Sequence, residues 1–245
     1  MNKLILKPLQ AILFLTLFFG TGTAESQAQA KFKSQDIGNP AHKGIAQIVE
    51  DGVNIKAGGE DIWMNSDQFH FVYQQSTGDF DFVVRLESLE KSNLYTKAGL
   101  MARQNLTPGS RNVMFLAFPG NDIRTHNRGG YEFQYRLETG KQSQSIYPSL
   151  TDSVAEAAFP VNFPNVWMRL KRVGTKFSTF TSDDGQNWKL YTEFEMEMPE
   201  KLFLGMAVTA HSKGATTFAK FRNLQMKNKS DDTGKQKAND STLVK

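Results

Sequence analysis

Apolar and polar residues alternate with a period of two along much of this chain, most clearly in residues 165–191. The first run of this segment places Val166, Met168 and Leu170 on one side and the residues between them on the other. Because successive side chains of a strand point to opposite faces, the alternation predicts a half-buried strand.

Two turn signals divide the same segment into three runs. Gly174 tolerates the positive φ of a tight hairpin. Asp183-Asp184-Gly185 combines carboxylates that can bind their own turn with a second glycine. The segment therefore predicts three consecutive antiparallel strands, a meander within a β-sandwich.

The rest of the chain continues the pattern. Asp51-Gly52 separates two alternating runs, which is a strong hairpin signal. Residues 112–118 alternate little, as expected for a strand that is covered on both faces. The other predicted strands are 44–50, 53–57, 68–74, 79–89, 97–103, 131–137, 193–198, 202–209 and 216–226. Roughly twelve short strands at about 10-residue spacing, with no helical pattern after residue 30, predict an all-β sandwich of two antiparallel sheets.

The beginning of the chain has the form of a secretory signal peptide. In residues 1–30, Lys3 and Lys7 precede an apolar stretch, and a small-residue cleavage site follows at 28–30. The apolar stretch is short for a bilayer span, which takes ~20 residues, so an uncleaved anchor is the less favoured alternative. We expect a secreted or periplasmic protein with no membrane span after cleavage.

The remaining boundaries follow from changes in composition. Residues 31–43 are polar and predict a linker or a first edge segment, and the sandwich is expected over 44–226. Residues 227–245 are charged and lack a hydrophobic pattern, which predicts a disordered tail.

Charge and cysteine content exclude some classes of function. Removal of residues 1–30 takes away two lysines and one glutamate and leaves a formal net charge of 27 − 24 = +3. A dedicated nucleic-acid-binding protein would carry clustered basic residues, so we expect no nucleic-acid partner. The chain has no cysteine, so an exported form relies on its core rather than on disulfides.

Several phrases of the sequence resemble a known family. They are Asp61-Ile62-Trp63, Gly78-Asp79-Phe80, and the segments at 97–103, 133–136, 166–170, 182–188 and 204–211. Together they resemble a bacterial family of concanavalin A-like jelly-roll domains of unknown function, sometimes labelled "regulation of enolase", over about residues 40–226. The resemblance implies a jelly roll of two curved sheets, common in exported proteins and related to carbohydrate-binding lectin-like modules. It implies no established reaction, since one fold serves many functions.

Polar residues within alternating strands are the main candidates for contact with a ligand. They are Lys97, Arg103, Gln134, Arg136 and Arg169. Three further candidates are the loop residue His211 and the aromatic residues Trp63 and Tyr131. Arginine and glutamine can hydrogen-bond sugar hydroxyls, and aromatic rings can stack on a sugar face. The alternative is a plain solvated face, with the aromatic residues in the core.

Three glutamates offer an alternative catalytic reading. Glu193, Glu195 and Glu197 alternate along one predicted strand and would share a face, as in some jelly-roll glycosidases. The competing interpretation is an edge strand whose solvated acidic face prevents aggregation. The segment 181–188 is similar to the Asp-box of sialidases, which predicts a hairpin turn and no activity.

Metal and cofactor sites are weakly indicated. The four histidines are scattered and lack zinc-binding spacing. Acidic residues at Glu60-Asp61 and at Asp79 and Asp81 could hold a structural calcium ion, although shaping of turns also accounts for them. We expect no other cofactor.

These patterns favour an exported, non-catalytic β-sandwich module that binds carbohydrate or another extracellular ligand on one sheet face. A glycoside hydrolase or lyase that uses the three glutamates is the first alternative. A structural or interaction protein with a cell-envelope partner is the second.

Overall fold

The computed structural model describes residues 32–125, 127, 129–147 and 158–228. Within these ranges the regular structure is entirely β, as the alternation predicts. The strands are β1 (Lys33–Ile37), β2 (Ile45–Val49), β3 (Gly52–Ala57), β4 (Phe69–Thr77), β5 (Phe80–Leu89), β6 (Lys97–Arg103), β7 (Asn112–Ala117), β8 (Tyr131–Arg136), β9 (Gln144–Ile146), β10 (Val166–Val173), β11 (Lys176–Ser182), β12 (Lys189–Glu195), β13 (Lys201–Thr209) and β14 (Thr217–Asn228).

Two seven-stranded antiparallel sheets stack face to face in a jelly-roll sandwich, which confirms the predicted fold class. The front sheet has the strand order β1-β4-β13-β6-β7-β8-β9. The back sheet has the order β12-β11-β10-β5-β14-β3-β2. The predicted meander forms β10, β11 and β12 at one edge of the back sheet.

The core lies between the sheets and consists of alternate residues from each strand. Phe82, Val84 and Leu86 of β5 are fully buried there, and Leu100 and Phe115 face them from the front sheet. Burial of large apolar side chains of this kind contributes about 1.5–3 kcal/mol each. The alternation read from the sequence therefore identifies the faces of these strands correctly.

The front sheet is also covered on its other face. A second apolar cluster lies there, which we call the outer cluster: Ile37, Ile62, Phe69, Phe71, Tyr73, Met101, Met114, Leu116, Phe118 and Ala207. Because both faces are covered, β7 is buried along its whole length, as its weak alternation predicts.

Of the two alternatives for residues 31–43, a linker or a first edge segment, the structure shows the second. Lys33–Ile37 pairs with β4 as the edge strand β1, so the sandwich begins before residue 44, and the first three residues of β1 are exposed, which explains its polar sequence. Two other segments differ from the prediction. The short strand β9 lies in a segment with little pattern. The strand expected at 193–198 is the continuation of β12, which ends at Glu195.

The predicted signal peptide and most of the predicted tail lie outside the described residues. Only Lys227 and Asn228 of the tail are described, and both belong to β14. In the described ranges no helix has the length and apolar content to cross a membrane.

The turn between β11 and β12 is held by its own side chains. Ser182 Oγ accepts hydrogen bonds from the backbone N–H groups of Asp184 and Gly185. Asp184, rather than Asp183, binds the turn, because its Oδ1 accepts the N–H groups of Gln186 and Asn187 at 2.8 Å. These hydrogen bonds hold the pKa of Asp184 well below its ordinary value. The result is the hairpin that the Asp-box-like sequence predicts.

Gly185 has a positive φ of 73° and packs on an aromatic ring. A Cβ at this position would lie 2.9 Å from ring atoms of Trp167. Gly78 has the same φ of 73°, but a Cβ there would meet nothing within 4 Å. The two glycines therefore share the backbone requirement and differ in the space available.

We expect Gly78→Ala to lower the free energy of unfolding by about 1 kcal/mol, the cost of a left-handed alanine. Gly185→Ala carries the same cost plus the clash with Trp167, and we expect a loss of about 2 kcal/mol. Urea denaturation of both variants measures the difference. Equal losses would show that Trp167 moves aside without cost.

Candidate functional site

A cavity of about 360 Å³ opens on the outer face of the front sheet, beside the outer cluster. Its lining combines aromatic, charged and amide side chains: Asp61, Trp63, Tyr95, Lys97, Thr125, Glu132, Gln134, Ser145, Tyr147 and His211. The volume falls within the range of ligand pockets, roughly 300–1,000 Å³. The concave, mixed lining makes it the candidate functional site.

Strands β6, β8 and β9 and the loops beside them build this cavity. Lys97 is the first residue of β6, and Glu132 and Gln134 alternate in β8, so the period of two places them on one face. Asp61 and Trp63 lie in the loop that follows β3, and His211 lies just after β13. The sheet thus supplies the floor and the loops supply the walls.

The loop after β3 is fastened to the end of β13. Gly59 has a φ of 109°, and its carbonyl accepts a hydrogen bond from the N–H of Ser212 at 3.0 Å. Thr209 Oγ1 donates to the carbonyl of Gln68 at 2.9 Å. A positive φ of this size favours glycine, so the Gly58-Gly59 pair sets the path of the loop. This connection brings Asp61 and His211 together.

Asp61 is the ionic centre of the cavity. Lys97 Nζ donates to its Oδ1 at 2.6 Å, and His211 Nε2 lies 3.2 Å from its Oδ2. The Lys97 side chain is only 4% exposed, so its ammonium depends on this carboxylate. Burial would raise the pKa of Asp61, but the Lys97 charge and the hydrogen bond from His211 together lower it. Asp61 is therefore ionised at neutral pH and pairs with both basic side chains, Lys97 and His211.

Glu132 and Gln134 form the second polar group of the floor. Gln134 Nε2 donates to Glu132 Oε1 at 2.6 Å, and Asn127 Nδ2 donates to Glu132 Oε2 at 3.1 Å. Gln134 is 2% exposed, and its Oε1 has no hydrogen-bond partner among the described residues. A buried amide oxygen without a donor carries a desolvation cost, which a ligand hydroxyl in the cavity would remove.

Aromatic rings line the walls. The ring centroids of Tyr95 and His211 are 5.3 Å apart, and Lys97 Nζ lies 5.6 Å from the centroid of Trp63. Tyr95 Oη accepts the backbone N–H of Thr125 at 3.2 Å, which ties the wall to the next loop. Flat rings beside polar groups are typical of sites that bind sugars.

Four of the eight predicted ligand-binding residues meet in this cavity: Trp63, Lys97, Gln134 and His211. The sequence also contained a signal for Glu132, because it shares the face of Gln134 at a spacing of two. Tyr95, Thr125, Ser145 and Tyr147 lie in loops or at a short strand, and nothing in their sequence indicated a shared site.

Two other predicted residues lie elsewhere. Tyr131 points into the core, where its ring stacks on Phe115 at a centroid distance of 5.6 Å. Arg169 lies on the back sheet and donates from Nε to Asp81 at 2.8 Å. Both were expected at a ligand face, but core packing explains Tyr131 and a surface ion pair explains Arg169.

Arg103 and Arg136 are also structural, because both are fully buried around Asp67. Arg136 binds Asp67 through two hydrogen bonds, Nη1 to Oδ2 at 2.8 Å and Nη2 to Oδ1 at 2.6 Å. Arg103 Nη2 lies 3.5 Å from Asp67 Oδ2. Burial and the neighbouring Arg136 lower the pKa of Arg103 to about 10, and Asp67 opposes the shift. We call these three residues the arginine clamp.

The three glutamates of the catalytic alternative lie apart from the cavity. Glu193, Glu195 and Glu197 are exposed at the β12 edge of the back sheet and its continuation. Glu193 pairs with Lys176 at 3.2 Å. The structure therefore shows the solvated edge that sequence reasoning gave as the competing interpretation.

The acidic pairs considered for calcium have cationic partners. Asp61 binds Lys97, and Asp81 binds Arg169. Among the described residues no group of three or more histidines and acidic side chains is placed to hold a metal ion. A structural calcium ion stays a prediction.

A family model described as "Protein of unknown function (DUF1349)" matches residues 45–229. A comparison with curated proteins finds no significant match.

Similar solved structures share the architecture at low sequence identity. A functionally unknown protein from Saccharomyces cerevisiae is 15% identical and has a TM-score of 0.59, with 82% of this chain and 97% of that chain covered. A GH43 protein from Bacillus licheniformis is 11% identical with a TM-score of 0.50, over 75% of this chain and 38% of that one. The exoplasmic/lumenal domain of VIP36, in a calcium- and glycan-bound form, is 11% identical with a TM-score of 0.46, over 83% and 88%. At these identities the likeness concerns the fold alone.

Proposed function

The chain belongs to the DUF1349 family of jelly-roll proteins of unknown function, and on that premise we propose that it is a module that binds a short carbohydrate in the cavity of the front sheet. One observation carries the proposal: a cavity of about 360 Å³ combines aromatic walls with a buried amide oxygen that has no donor among the described residues. Sugar rings present an apolar face for stacking and hydroxyl groups for hydrogen bonding, so they complement both features.

The proposed role is binding without catalysis. A general acid for glycoside hydrolysis needs a carboxyl group that stays protonated near neutral pH. Asp61 is the opposite, since its cationic partners lower its pKa. Both oxygens of Glu132 accept hydrogen bonds from neighbouring amides, which hold this side chain in one position. We therefore assign these acids to the positioning of the cavity.

Replacement of Trp63 tests the proposal. We expect the full chain to bind at least one oligosaccharide of a diverse panel, measured by glycan array and then by isothermal titration calorimetry. Trp63→Ala removes a wall of the cavity, and we expect a loss of affinity of about 5- to 30-fold, because stacked aromatic groups contribute about 1–2 kcal/mol.

Arg169→Ala is the matched control, since Arg169 lies on the back sheet, away from the cavity. It should bind with the affinity of the unmodified chain. Equal losses in the two variants, or no glycan binding at all, would contradict the proposal.

The finer predictions of partner and location accompany this proposal. Export through residues 1–30, a cell-envelope setting and the label "regulation of enolase" stay predictions. Detection of the mature protein outside the cytoplasm, with its new N-terminus near residue 31, would support export.

A further inference from the structure

The charged and polar side chains of the cavity disfavour anionic ligands. Among the described residues its lining contains two basic side chains, Lys97 and His211, and both are paired with Asp61. The remaining charge of the lining is the carboxylate of Glu132, which has amide donors but no ion-pair partner within 4.0 Å in the described part of the chain. The charge of the buried Arg124, outside the lining, acts on this carboxylate from a longer distance. With His211 neutral, the cavity has a formal charge of −1.

Gln134 Oε1, which has no hydrogen-bond partner among the described residues, also disfavours an anionic ligand. Gln134 Oε1 can only accept a hydrogen bond, and the other atom of this amide already donates to Glu132 at 2.6 Å. The orientation of the amide follows from that donation, because a carboxylate cannot donate. No donor from the described residues reaches this buried atom, so a ligand hydroxyl in contact with it would supply one.

We infer that the cavity selects saccharides without acidic groups, with a ligand hydroxyl donating to Gln134 Oε1. The inference rests on the proposed carbohydrate-binding function and names the class of sugar. A uronate, sulfate or phosphate group would meet Glu132 and an acceptor oxygen, without a free cation from the described lining. Like-charge contact is unfavourable, and an anion that gives up its water on binding without meeting donors pays a desolvation cost.

The ionised carboxylate of Asp61 maintains this preference for neutral ligands. The low pKa of Asp61 keeps the carboxylate ionised, so Lys97 and His211 stay engaged across the neutral range. Lys97 is nearly fully buried, and it would have to leave Asp61 to reach an anionic ligand. Breaking a buried ion pair for a new one gives little net gain.

Matched neutral and acidic ligands test the inference. Tetrasaccharides from galactan and galacturonan, and from mannan and mannuronan, are titrated into the full chain by calorimetry. We expect a neutral member to bind and its uronate counterpart to bind at least tenfold more weakly. Equal or tighter binding of the uronate overturns the selection rule but leaves carbohydrate binding intact. Absence of binding across these and the wider panel overturns both.

Gln134→Leu tests the named contact. It keeps the volume and removes both the acceptor and the Nε2 donor to Glu132. We expect at least a tenfold loss for the neutral ligand, since the hydroxyl loses its partner. Gln104→Leu is the control, because Gln104 Oε1 is also buried with no partner in the described part of the chain and lies outside the cavity. Unchanged binding in Gln134→Leu would overturn the role of this residue. Thermal unfolding of each variant shows that it is folded, and the comparison of neutral with acidic ligands needs no variant.

Discussion

Asp67→Asn is expected to lower the free energy of unfolding by about 3–5 kcal/mol, because it leaves two buried guanidinium groups without a counter-ion. Asp67, Arg103 and Arg136 are all fully buried. Asparagine keeps one acceptor for Arg136, so the change removes the charge with little change in shape. Chemical denaturation of the variant measures the loss.

Asp81→Asn is the matched control for the arginine clamp. Asp81 likewise accepts hydrogen bonds from an arginine, because Arg169 donates to it from Nε and Nη2. The Asp81 side chain is 23% exposed and that of Arg169 is 26% exposed. An exposed ion pair contributes about 0–1 kcal/mol, so we expect a loss within that range. Similar losses in the two variants would mean that burial does not set the importance of the arginine clamp.

Asp61→Asn is expected to lower the free energy of unfolding by about 2 kcal/mol, less than a fully buried pair because Asp61 is 26% exposed. The variant leaves the buried Lys97 ammonium without its partner. It should also admit acidic saccharides that the unmodified chain rejects, because Lys97 becomes available. Denaturation and the titrations with uronates measure these two effects.

Asp61→Asn should also change how the free energy of unfolding depends on pH. The folded pKa of Asp61 is lowered, so its stabilising contribution is fully present above the unfolded pKa of about 3.9. The contribution is lost as the pH falls through the lowered folded pKa. Asp61→Asn should therefore lose less stability than the unmodified chain between about pH 5 and acid conditions. An equal acid loss in both proteins would contradict the role of Asp61.

Period-two alternation was sufficient to predict the sandwich. The faces of β5 and β10 follow directly from it, because each strand has the core on one side. The same rule could not decide between a linker and an edge strand for β1, whose exposed residues hide the pattern, and it missed the three-residue strand β9. Short edge strands are stabilised by pairing with a neighbour, which a local pattern does not record.

The site was predictable only in part. Alternation placed Gln134 and Arg136 on the same face of β8, but it could not show that the end of that face is covered. Arg136 lies under the loop that carries Asp67, while Gln134 opens into the cavity. Long-range loop packing decides between a buried arginine and a ligand contact, and the sequence gives no measure of it.

The arginine clamp also holds a wall of the cavity. Arg136 Nη2 donates to the carbonyl of Trp63 and to that of Met64, each at 3.2 Å. The same guanidinium reaches the carbonyls of Ser110 and Lys141, so three separate loops share one anchor. The backbone beside the Trp63 ring is thus fixed before any ligand arrives, and docking requires little loss of loop entropy. We therefore expect binding with little conformational change, and differences in affinity between ligands should lie mainly in the dissociation rate.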